Sequence, residues 1–336
     1  GYWRKGLGGY RVSAGYRQSN DWIAPDDVNH RVTWGRVLLG TDAIPDLRLS
    51  LEAGGEVAKT IVFPSLVNLP LEGYEYFSQL KGDYKGLSVN LYDKYIHVDA
   101  ALKTLLMGLI PLAVPITGDT QSVTADIQYS WPIGRYFHVI PGVNARYMFY
   151  DVTGFKKKLG DIPLDRESMV GGFLHCEANP HSDLSIVLDA RYDWFSITEP
   201  ALSPRLAVSY TVAEGHILRA AGGQSFRKPT WLEAQALSED RFLSRLNFPG
   251  NPDVRNELVR TAELGYRVYP TRELRVDSEI FYDQYANFIS LQLMTAPSIT
   301  LRNENAKDLL WGLGGEVDVG YDPFSWLKSD LSYSYI

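Results

Sequence analysis

Strict alternation of apolar and charged side chains is the feature that most constrains how this chain can fold. Between residues 183 and 194 the even positions are largely apolar or aromatic, whereas Asp189, Arg191 and Asp193 occupy odd positions. Successive side chains of an extended strand point to opposite faces, so this pattern gives a strand one apolar face and one charged face. The same pattern recurs in residues 10–16, 47–53 and 274–282. The sequence therefore predicts an all-β protein.

The connections between the alternating segments are as regular as the segments themselves. About fifteen strands are predicted from alternation and turn residues, at 8–19, 30–41, 46–58, 73–83, 86–99, 120–131, 136–149, 166–178, 183–196, 203–213, 216–225, 257–269, 272–286, 299–320 and 325–336. Short turns near 44–46, 81–85, 132–135, 179–182, 213–215, 270–273 and 322–325 alternate with longer loops near 20–29, 59–72, 100–119, 152–165, 226–256 and 287–298. An up-and-down meander with one tight end and one loose end is typical of a transmembrane β-barrel.

A soluble β-sandwich would also show alternation, with its apolar face turned inward. Two features favour the barrel. The polar face carries charges of both signs, and many strands reach ~10 residues, whereas soluble strands average ~5–6. No segment reaches the ~20 apolar residues of a spanning helix, because Pro111 and Pro115 interrupt the most apolar stretch. We therefore predict an antiparallel up-and-down barrel whose apolar face meets lipid and whose charged face lines a wet lumen.

Composition restricts the possible partners and cofactors. The 21 tyrosines and 8 tryptophans suit membrane interfaces or binding surfaces. The net charge of −7, without a block of lysine and arginine, argues against a nucleic-acid partner. The single cysteine, Cys176, rules out an intramolecular disulfide and a cysteine-based metal site, and the six histidines show no metal-ligand spacing. We predict no cofactor, no metal site and no nucleic-acid partner.

Sequence signatures of catalysis are incomplete. The run Gly223-Gln224-Ser225-Phe226 lacks the second glycine of a nucleophile elbow. Two adjacent candidates, His175 and Cys176, fall on opposite faces of a predicted strand and cannot converge. Because no Ser/His or Asp/His set can be assembled at one barrel level, we predict no catalytic residues. A barrel hydrolase remains the enzymatic alternative.

Four segments follow one another in a fixed order between residues 200 and 336. They are Leu202-Ser203-Pro204-Arg205-Leu206; His216 to Ala220 leading to Phe226-Arg227-Lys228-Pro229; Gly250-Asn251-Pro252-Asp253 followed by Glu263 to Arg267; and Phe281-Tyr282 followed by Arg302-Asn303 and Gly312 to Glu316. Together they resemble the barrel of TonB-dependent outer-membrane receptors. One departure is the Gly312-x-Gly314-x-Glu316 run, where the family has a single Gly-x-Glu, and it predicts a local bulge.

The resemblance implies a single partial barrel domain over residues 1–336. It implies about fifteen of the ~22 strands of a plugged outer-membrane transporter, without the plug that precedes the barrel in the family and without its last strands. It places the chain in the cell outer membrane, with long extracellular loops and short periplasmic turns. The implied partners are a small-molecule ligand such as a metal chelate, outer-membrane lipid and lipopolysaccharide, and the TonB complex acting through the plug segment.

The function implied by the resemblance is active import of a scarce solute, most often a ferric siderophore, with energy supplied through TonB. Cobalamin, a nickel chelate and an oligosaccharide remain alternative substrates. A passive porin-like or adhesin-like barrel without a plug remains the main alternative from another functional class.

Basic and aromatic residues are concentrated in the longest loop, 226–256. Such residues suit an anionic, aromatic metal chelate through charge-assisted hydrogen bonds and stacking. The predicted ligand-binding residues are Arg227, Lys228, Trp231, Arg241, Phe242, Arg245 and Phe248.

Two further groups of residues carry structural expectations. The charges expected to have cross-strand or plug partners in the lumen are Arg191, Asp193, Glu263, Arg267, Asp277 and Glu279. The apolar segment 100–119 is predicted to be a loop that covers the barrel mouth, folds onto the lumen or touches lipopolysaccharide.

Overall fold

One long antiparallel sheet makes up most of the chain. The computed structural model describes residues 8–20, 29–41, 44–62, 69–106, 110–153, 157–159, 162–235, 246–247, 250–294 and 299–336. In chain order the elements are β1 (Gly9–Asn20), β2 (Asn29–Thr41), β3 (Leu47–Val62), β4 (Leu69–Tyr84), β5 (Leu87–Leu106), β6 (Ile110–Tyr129), β7 (Trp131–Ile133), β8 (Phe137–Val152), β9 (Lys158–Leu159), β10 (Ile162–Pro163), β11 (Arg166–His181), β12 (Leu184–Phe195), β13 (Ala201–Ala213), β14 (His216–Arg227), α1 (Trp231–Ala234), β15 (Leu246–Asn247), β16 (Glu257–Val268), β17 (Leu274–Ala286), β18 (Ile289–Met294), β19 (Ile299–Asn305), β20 (Leu310–Phe324) and β21 (Leu327–Tyr335).

Fifteen of these strands follow each other as hydrogen-bonded neighbours in the order β1-β2-β3-β4-β5-β6-β8-β11-β12-β13-β14-β16-β17-β20-β21, and β7 pairs with β8. The predicted antiparallel up-and-down sheet is therefore confirmed. Among the described residues β1 is not paired with β21, so the path has two ends. Two small sheets lie apart from it, β9 with β10 and β15 with β18 and β19.

The short connections are tight hairpins at one end of the sheet. Between β4 and β5 only two residues intervene, and both Lys85 (φ 45°) and Gly86 (φ 90°) adopt left-handed backbone conformations. A two-residue hairpin loop needs positive φ at both central positions to match the right-handed twist of its strands. We call this end the short-turn end and the opposite one the long-loop end.

Each strand of the sheet has the two faces that the alternation predicts. On β12, Leu188 and Tyr192 are about half exposed, whereas Asp193, one residue further, is 1% exposed. On β16 and β17, Leu264 and Ile280 are each 58% exposed. The apolar side chains therefore face outward from the protein, and we call their side the apolar face and the other the charged face.

Aromatic side chains mark both margins of the apolar face. Towards the long-loop end the residues of β5 on this face are no longer apolar: they are Asp93, Tyr95 and His97. The apolar band therefore ends there. Two aromatic rows, one near each end of the strands, resemble the interfacial girdles of membrane barrels. The row at the short-turn end includes Tyr84, Tyr129, Tyr210 and Tyr321, and that at the long-loop end includes Tyr76, Tyr147, Trp194 and Trp311.

The charged face carries aromatic rings that lie across glycines of the neighbouring strand. A Cβ built on Gly142 would stand 2.2 Å from the Phe173 ring, and one on Gly314 would stand 2.4 Å from the Phe281 ring. In each pair the glycine is directly opposite the aromatic residue. Gly314 belongs to the Gly-x-Gly-x-Glu run, so its missing side chain makes room for a ring.

The prediction of a single strand over residues 299–320 is wrong, because this segment forms two strands in different sheets. Residues 299–305 form β19, which pairs with β18, and residues 310–324 form β20, which pairs with β17. The expected bulge is also absent: the β17–β20 register runs without interruption from Leu274 opposite Tyr321 to Tyr285 opposite Leu310. The whole run from Gly312 to Glu316 lies inside β20, where each residue has a partner in β17.

The prediction of a loop over residues 100–119 is also wrong for the backbone. Strands β5 and β6 remain paired from Leu87 opposite Tyr129 to Leu106 opposite Ile110. Pro111 and Pro115 stand in β6, opposite residues 105 and 101. A proline lacks only its own N–H, so it is compatible with a strand on the side where no hydrogen bond is required.

Candidate functional site

Loop residues at the long-loop end form a small core. Among the described residues every buried apolar side chain belongs to this end of the sheet, and so do most buried polar ones. The apolar members are Leu164, Phe195, Ala201, Ala234, Val254 and Ile289. We call this set the loop core. It lies where the described parts of four connections meet, residues 162–165, 196–200, 228–235 with 250–256, and 287–290 with 302–309, which makes it the most structured candidate region for function.

A buried ion pair crosses this region. Glu167, the second residue of β11, has no exposed surface, and its carboxylate accepts a hydrogen bond from the Lys228 ammonium group. The Lys228 side chain is only 18% exposed, and its Nζ lies 5.9 Å from the centroid of the Phe195 ring. The Tyr150 hydroxyl donates to the other carboxylate oxygen at 3.4 Å. The charge of Lys228 is thus neutralised inside the protein.

The helix α1 is held by its N-cap and by its first residue. Thr230 and Glu233 form a capping box, in which the Thr230 side chain accepts from the Glu233 backbone N–H and the Glu233 carboxylate accepts from the Thr230 backbone N–H. The Trp231 ring stacks on Tyr150 with 5.0 Å between ring centroids, and its Nε1 donates to the Leu164 carbonyl. One helical turn therefore ties loop 228–256 to the loop before β11.

Two carboxylates hold the Arg227 guanidinium. Glu257 accepts from Nε at 2.5 Å and from Nη2 at 2.9 Å, and Glu233 accepts from Nη1 at 3.0 Å and from Nη2 at 3.2 Å. Paired N–H donors of this kind form the stronger, charge-assisted class of hydrogen bond. Burial raises the pKa of the Glu233 carboxyl, but the hydrogen bonds from Arg227 and Thr230 outweigh it and leave this pKa below its ordinary value.

Asparagine side chains join loop 228–256 to the small sheet of β18 and β19. Asn251 Nδ2 donates to the Asn303 carbonyl at 2.8 Å, and Arg302 donates to Asn251 Oδ1 at 2.9 Å. The Asn305 side chain accepts from the Arg255 backbone N–H at 2.7 Å. Backbone groups of separate loops are thus satisfied by side chains, as a packed structure requires.

A second set of contacts brings in the connection between β12 and β13. Asn256 Nδ2 donates to the Glu199 carbonyl at 2.9 Å, and Asn287 Nδ2 donates to the Asn256 carbonyl at 3.2 Å. The Ile289 backbone N–H donates to Glu257, the same carboxylate that holds Arg227. Four loops are therefore cross-linked by side chains that are largely removed from solvent.

The structure places the predicted ligand-binding residues in two groups. Arg227 is the last residue of β14, Lys228 and Trp231 lie at the start of loop 228–256, and all three contact other parts of the protein as described. Arg241, Phe242, Arg245 and Phe248 lie outside the described residues. Whether any of the seven binds ligand stays a prediction.

Sequence reasoning did not find the carboxylates that hold the first group. Glu167 and Glu257 are 61 and 30 residues away from their cationic partners, and no local pattern connects them. Only Glu233 could have been identified from the sequence, because Thr-x-x-Glu is the pattern of a capping box at the start of a helix.

The charges expected in the lumen lie on the charged face and have partners there. Arg191 donates to Asp193 at 2.5 and 2.7 Å and to Asn144 at 2.8 Å. The remaining contacts are Arg267 with Asp277 (2.5 Å), Arg219 with Asp277 (2.6 Å) and Glu279 (3.9 Å), and Thr261 with Glu263 (3.4 Å).

One serine–histidine contact was not foreseen. Ser130 Oγ and His138 Nε2 are 2.7 Å apart near the short-turn end. Glu177 is directly opposite His138, but its carboxylate accepts from Asn179 instead. In the described part of the chain no carboxylate orients His138 as a catalytic triad would require. The same part holds no group of three or more His, Cys, Asp or Glu side chains arranged to bind a metal ion.

The sequence matches a known family over nearly its whole length. The family described as "TonB dependent receptor-like, beta-barrel" matches residues 2–336. A search of the curated proteins found no match. None of the helices in the described residues is long and apolar enough to cross a membrane.

Solved structures with the same fold are distant in sequence. The siderophore receptor PirA from Acinetobacter baumannii superposes with a TM-score of 0.72 at 12% identity, over 97% of this chain and 57% of its own. The copper transporter OprC gives 0.75 at 14% identity, over 98% and 57%. The ferric enterobactin receptor PfeA from Pseudomonas aeruginosa gives 0.72 at 16% identity, over 91% and 51%. The chain thus spans little more than half the length of these proteins.

Proposed function

Because the chain belongs to the family of TonB-dependent receptor-like β-barrels, we propose that it forms the barrel part of an outer-membrane receptor that binds and imports a scarce solute. The family match over residues 2–336 is the observation that carries this proposal. The apolar face between two aromatic rows supports the membrane location, since lipid-facing bands of outer-membrane barrels are bounded in this way. The family consists of receptors and transporters, which argues against the hydrolase alternative.

The proposed substrate is a ferric siderophore or a similar anionic metal chelate. Two of the distant structural relatives are a siderophore receptor and a ferric enterobactin receptor. The composition of loop 226–256 also supports this class, because guanidinium groups and aromatic rings bind anionic aromatic groups well. Within that loop we propose ligand contacts at Arg241, Phe242, Arg245 and Phe248. Import would draw energy from TonB through a plug segment, and the barrel would lie against outer-membrane lipid and lipopolysaccharide.

Uptake of radiolabelled ferric enterobactin and of a ferric hydroxamate tests the proposal. The full-length protein would be produced in cells that lack their own siderophore receptors, with and without a functional TonB system. We expect uptake of at least one chelate that depends on TonB. Ion conductance by the purified protein in planar bilayers, together with TonB-independent passage, would instead establish the passive barrel.

The contribution of the loop can be measured in the same cells. Replacing Trp231, Arg241 and Arg245 together with alanine should weaken chelate binding by about tenfold or more, because charge-assisted contacts and anchoring would be lost together. Arg135, an exposed arginine at the short-turn end, provides the matched control, and its replacement with alanine should leave binding unchanged. Unchanged affinity in the triple variant would remove this loop from the binding site.

A further inference from the structure

Arg260 is a charged side chain on a face that is otherwise apolar. It lies in β16 on the same side as Leu264, which points outward and is 58% exposed. Among the described residues of β12, β13, β14, β16, β17 and β20, it is the only Lys, Arg, Asp or Glu on the apolar face. A charge on the lipid-facing side of a barrel is costly at the midplane and tolerated near an interface. The depth of Arg260 therefore decides what it can contact.

The neighbours of Arg260 across the sheet place it at the long-loop margin of the apolar face. Gln224 of β14 and Gln284 of β17 are directly opposite Arg260, and Trp311 of β20 is directly opposite Gln284. Trp311 belongs to the aromatic row at the long-loop end and is 69% exposed. Tryptophan rings in such rows lie at the level of the lipid headgroups. In a membrane, Arg260 would therefore stand at headgroup depth.

Two glutamines hold the Arg260 guanidinium without neutralising its charge. Its Nε donates to Gln224 Oε1 at 2.9 Å, and its Nη1 donates to Gln284 Oε1 at 3.0 Å. Gln224 is fixed in turn, because its Nε2 donates to the Leu202 carbonyl at 2.9 Å. In the described part of the chain no carboxylate pairs with Arg260, and its Nη2 makes no hydrogen bond. A guanidinium held in this way keeps its charge and spare N–H donors, which suit a phosphate group.

An apolar groove begins one row of side chains nearer the middle of the membrane. The next outward-facing row, about 7 Å along the strands from Arg260, contains Gly222, Ala262 and Tyr282. These residues and Leu264 are among those that line an open groove of about 650 Å³. The groove is deep at Gly222 and Ala262, which have little or no side chain, and is bounded by the larger side chains of Leu264 and Tyr282. A hydrocarbon chain can therefore lie in it directly below the guanidinium.

We propose that Arg260 and this groove bind one phosphate-bearing lipid, with a headgroup phosphate on the guanidinium and an acyl chain in the groove. Long loops of outer-membrane barrels are extracellular, so this lipid belongs to the outer leaflet. Charge complementarity favours a lipid over a second copy of the chain, because this part of the apolar face offers no carboxylate to a symmetric partner. The inference rests on the proposed membrane location and not on the transport of any solute.

The test measures binding of lipid A, the phosphorylated glycolipid anchor of lipopolysaccharide. The full-length protein in micelles of an uncharged detergent would be titrated with lipid A, and bound lipid would be counted by native mass spectrometry. Arg260→Met removes the charge, and Ala262→Leu fills the groove. Arg272→Met is the matched control, because Arg272 is an exposed arginine in the turn at the other end of the same two strands.

Arg260→Met should weaken binding of lipid A by about fivefold or more, the contribution of one arginine near an anionic membrane surface. Ala262→Leu should weaken it by about fourfold or more, because at least one methylene of the acyl chain would lose its burial. The control should leave the affinity unchanged. Diacylglycerol, which has chains but no phosphate, should bind less well to Ala262→Leu and equally well to Arg260→Met.

Four results would overturn the inference. Equal affinity of Arg260→Met and the wild type would remove the guanidinium from the site, and an equal loss in Arg272→Met would show that any exposed arginine suffices. Displacement of lipid A by millimolar inorganic phosphate would leave only an anion contact. Dimers that disappear in Ala262→Leu would show that a second copy occupies the groove.

Failure of this inference can be distinguished from failure of the proposed function. Wild-type protein that inserts into phosphatidylcholine vesicles but binds no lipid A would refute the lipid site alone. Wild-type protein that does not insert into the vesicles would refute the proposed membrane location, and the lipid site with it.

Discussion

Replacing Gly142 with alanine is expected to destabilise the sheet through a single identified contact. Gly142 lies in β8 directly opposite Phe173 of β11. An alanine Cβ would stand 2.2 Å from Phe173 Cζ and 2.4 Å from Cε1, far inside van der Waals contact. The ring must therefore leave its place over the strand.

The magnitude follows from two opposing terms. Overpacking of this kind costs roughly 1–3 kcal/mol, and the lower half applies here because the half-buried ring can move towards the lumen. The loss of glycine's freedom in the unfolded chain offsets about 0.4–1 kcal/mol. Gly172→Ala isolates the second term, because a Cβ at Gly172 would meet nothing within 4 Å. The difference between the two variants should thus be about 1–2 kcal/mol, the overpacking cost alone.

Urea unfolding of the full-length protein in micelles, followed by tryptophan fluorescence, gives this difference. The decisive comparison repeats Gly142→Ala in a Phe173→Ala background, where the steric cost is gone and the substitution should raise the free energy of unfolding by about 0.4–1 kcal/mol. Equal destabilisation in both backgrounds, or equal stability of the Gly142 and Gly172 variants, would refute the steric reasoning.

Three further outcomes are expected. Asp193→Asn should lower the free energy of unfolding by about 1–3 kcal/mol in urea titrations, because a carboxylate that is 1% exposed would no longer balance Arg191, itself partly solvated. Arg227→Met should speed hydrogen exchange in α1, since it leaves Glu233 and Glu257 without their shared cation, whereas Arg135→Met should not. The folded-state pKa of Glu233 is lowered, so its contribution to stability is complete above its ordinary pKa of 4.5 and is lost as the pH falls further. Protection of α1 against exchange, after correction for the intrinsic pH dependence of amide exchange, should fall in that range. Glu233→Gln should weaken this pH dependence, and the remainder belongs to Glu257, whose pKa is also lowered because the hydrogen bonds from Arg227 and Ile289 outweigh burial.

The faces of the strands could be predicted from the sequence because they depend on a local property. In β12 the side-chain period is two, so Leu188 and Asp189 had to lie on opposite faces whatever the tertiary structure. The same reasoning assigned Asp277 and Glu279 to one face of β17, where Asp277 meets Arg219 and Arg267. Pairing partners followed because consecutive strands in a meander are neighbours.

Sequence reasoning failed where distant contacts decide the outcome. Residues 299–302 alternate as the start of a barrel strand does, yet Asn303 and Asn305 are held by Asn251 and Arg255, about fifty residues away. Those contacts and the pairing with β18 keep β19 out of the long sheet. The same limit applies to Lys228. The composition of loop 226–256 suggested that it contacts the ligand, and its partner Glu167 could not be identified from its neighbours in the chain.

The loop core implies that two parts of this protein are stabilised in different solvents, the walls in the hydrocarbon of a bilayer and the loop core in water. The strand walls bury few side chains within the protein, and in a bilayer their apolar face would depend on hydrocarbon around it. The loop core stands beyond the aromatic row and is held together by the release of water from apolar surface, as in an ordinary soluble domain. Denaturants act on water-driven burial, so urea should unfold the loop core at lower concentrations than the walls. Two transitions are then expected, and the effect of Gly142→Ala would appear in the one at higher urea concentration.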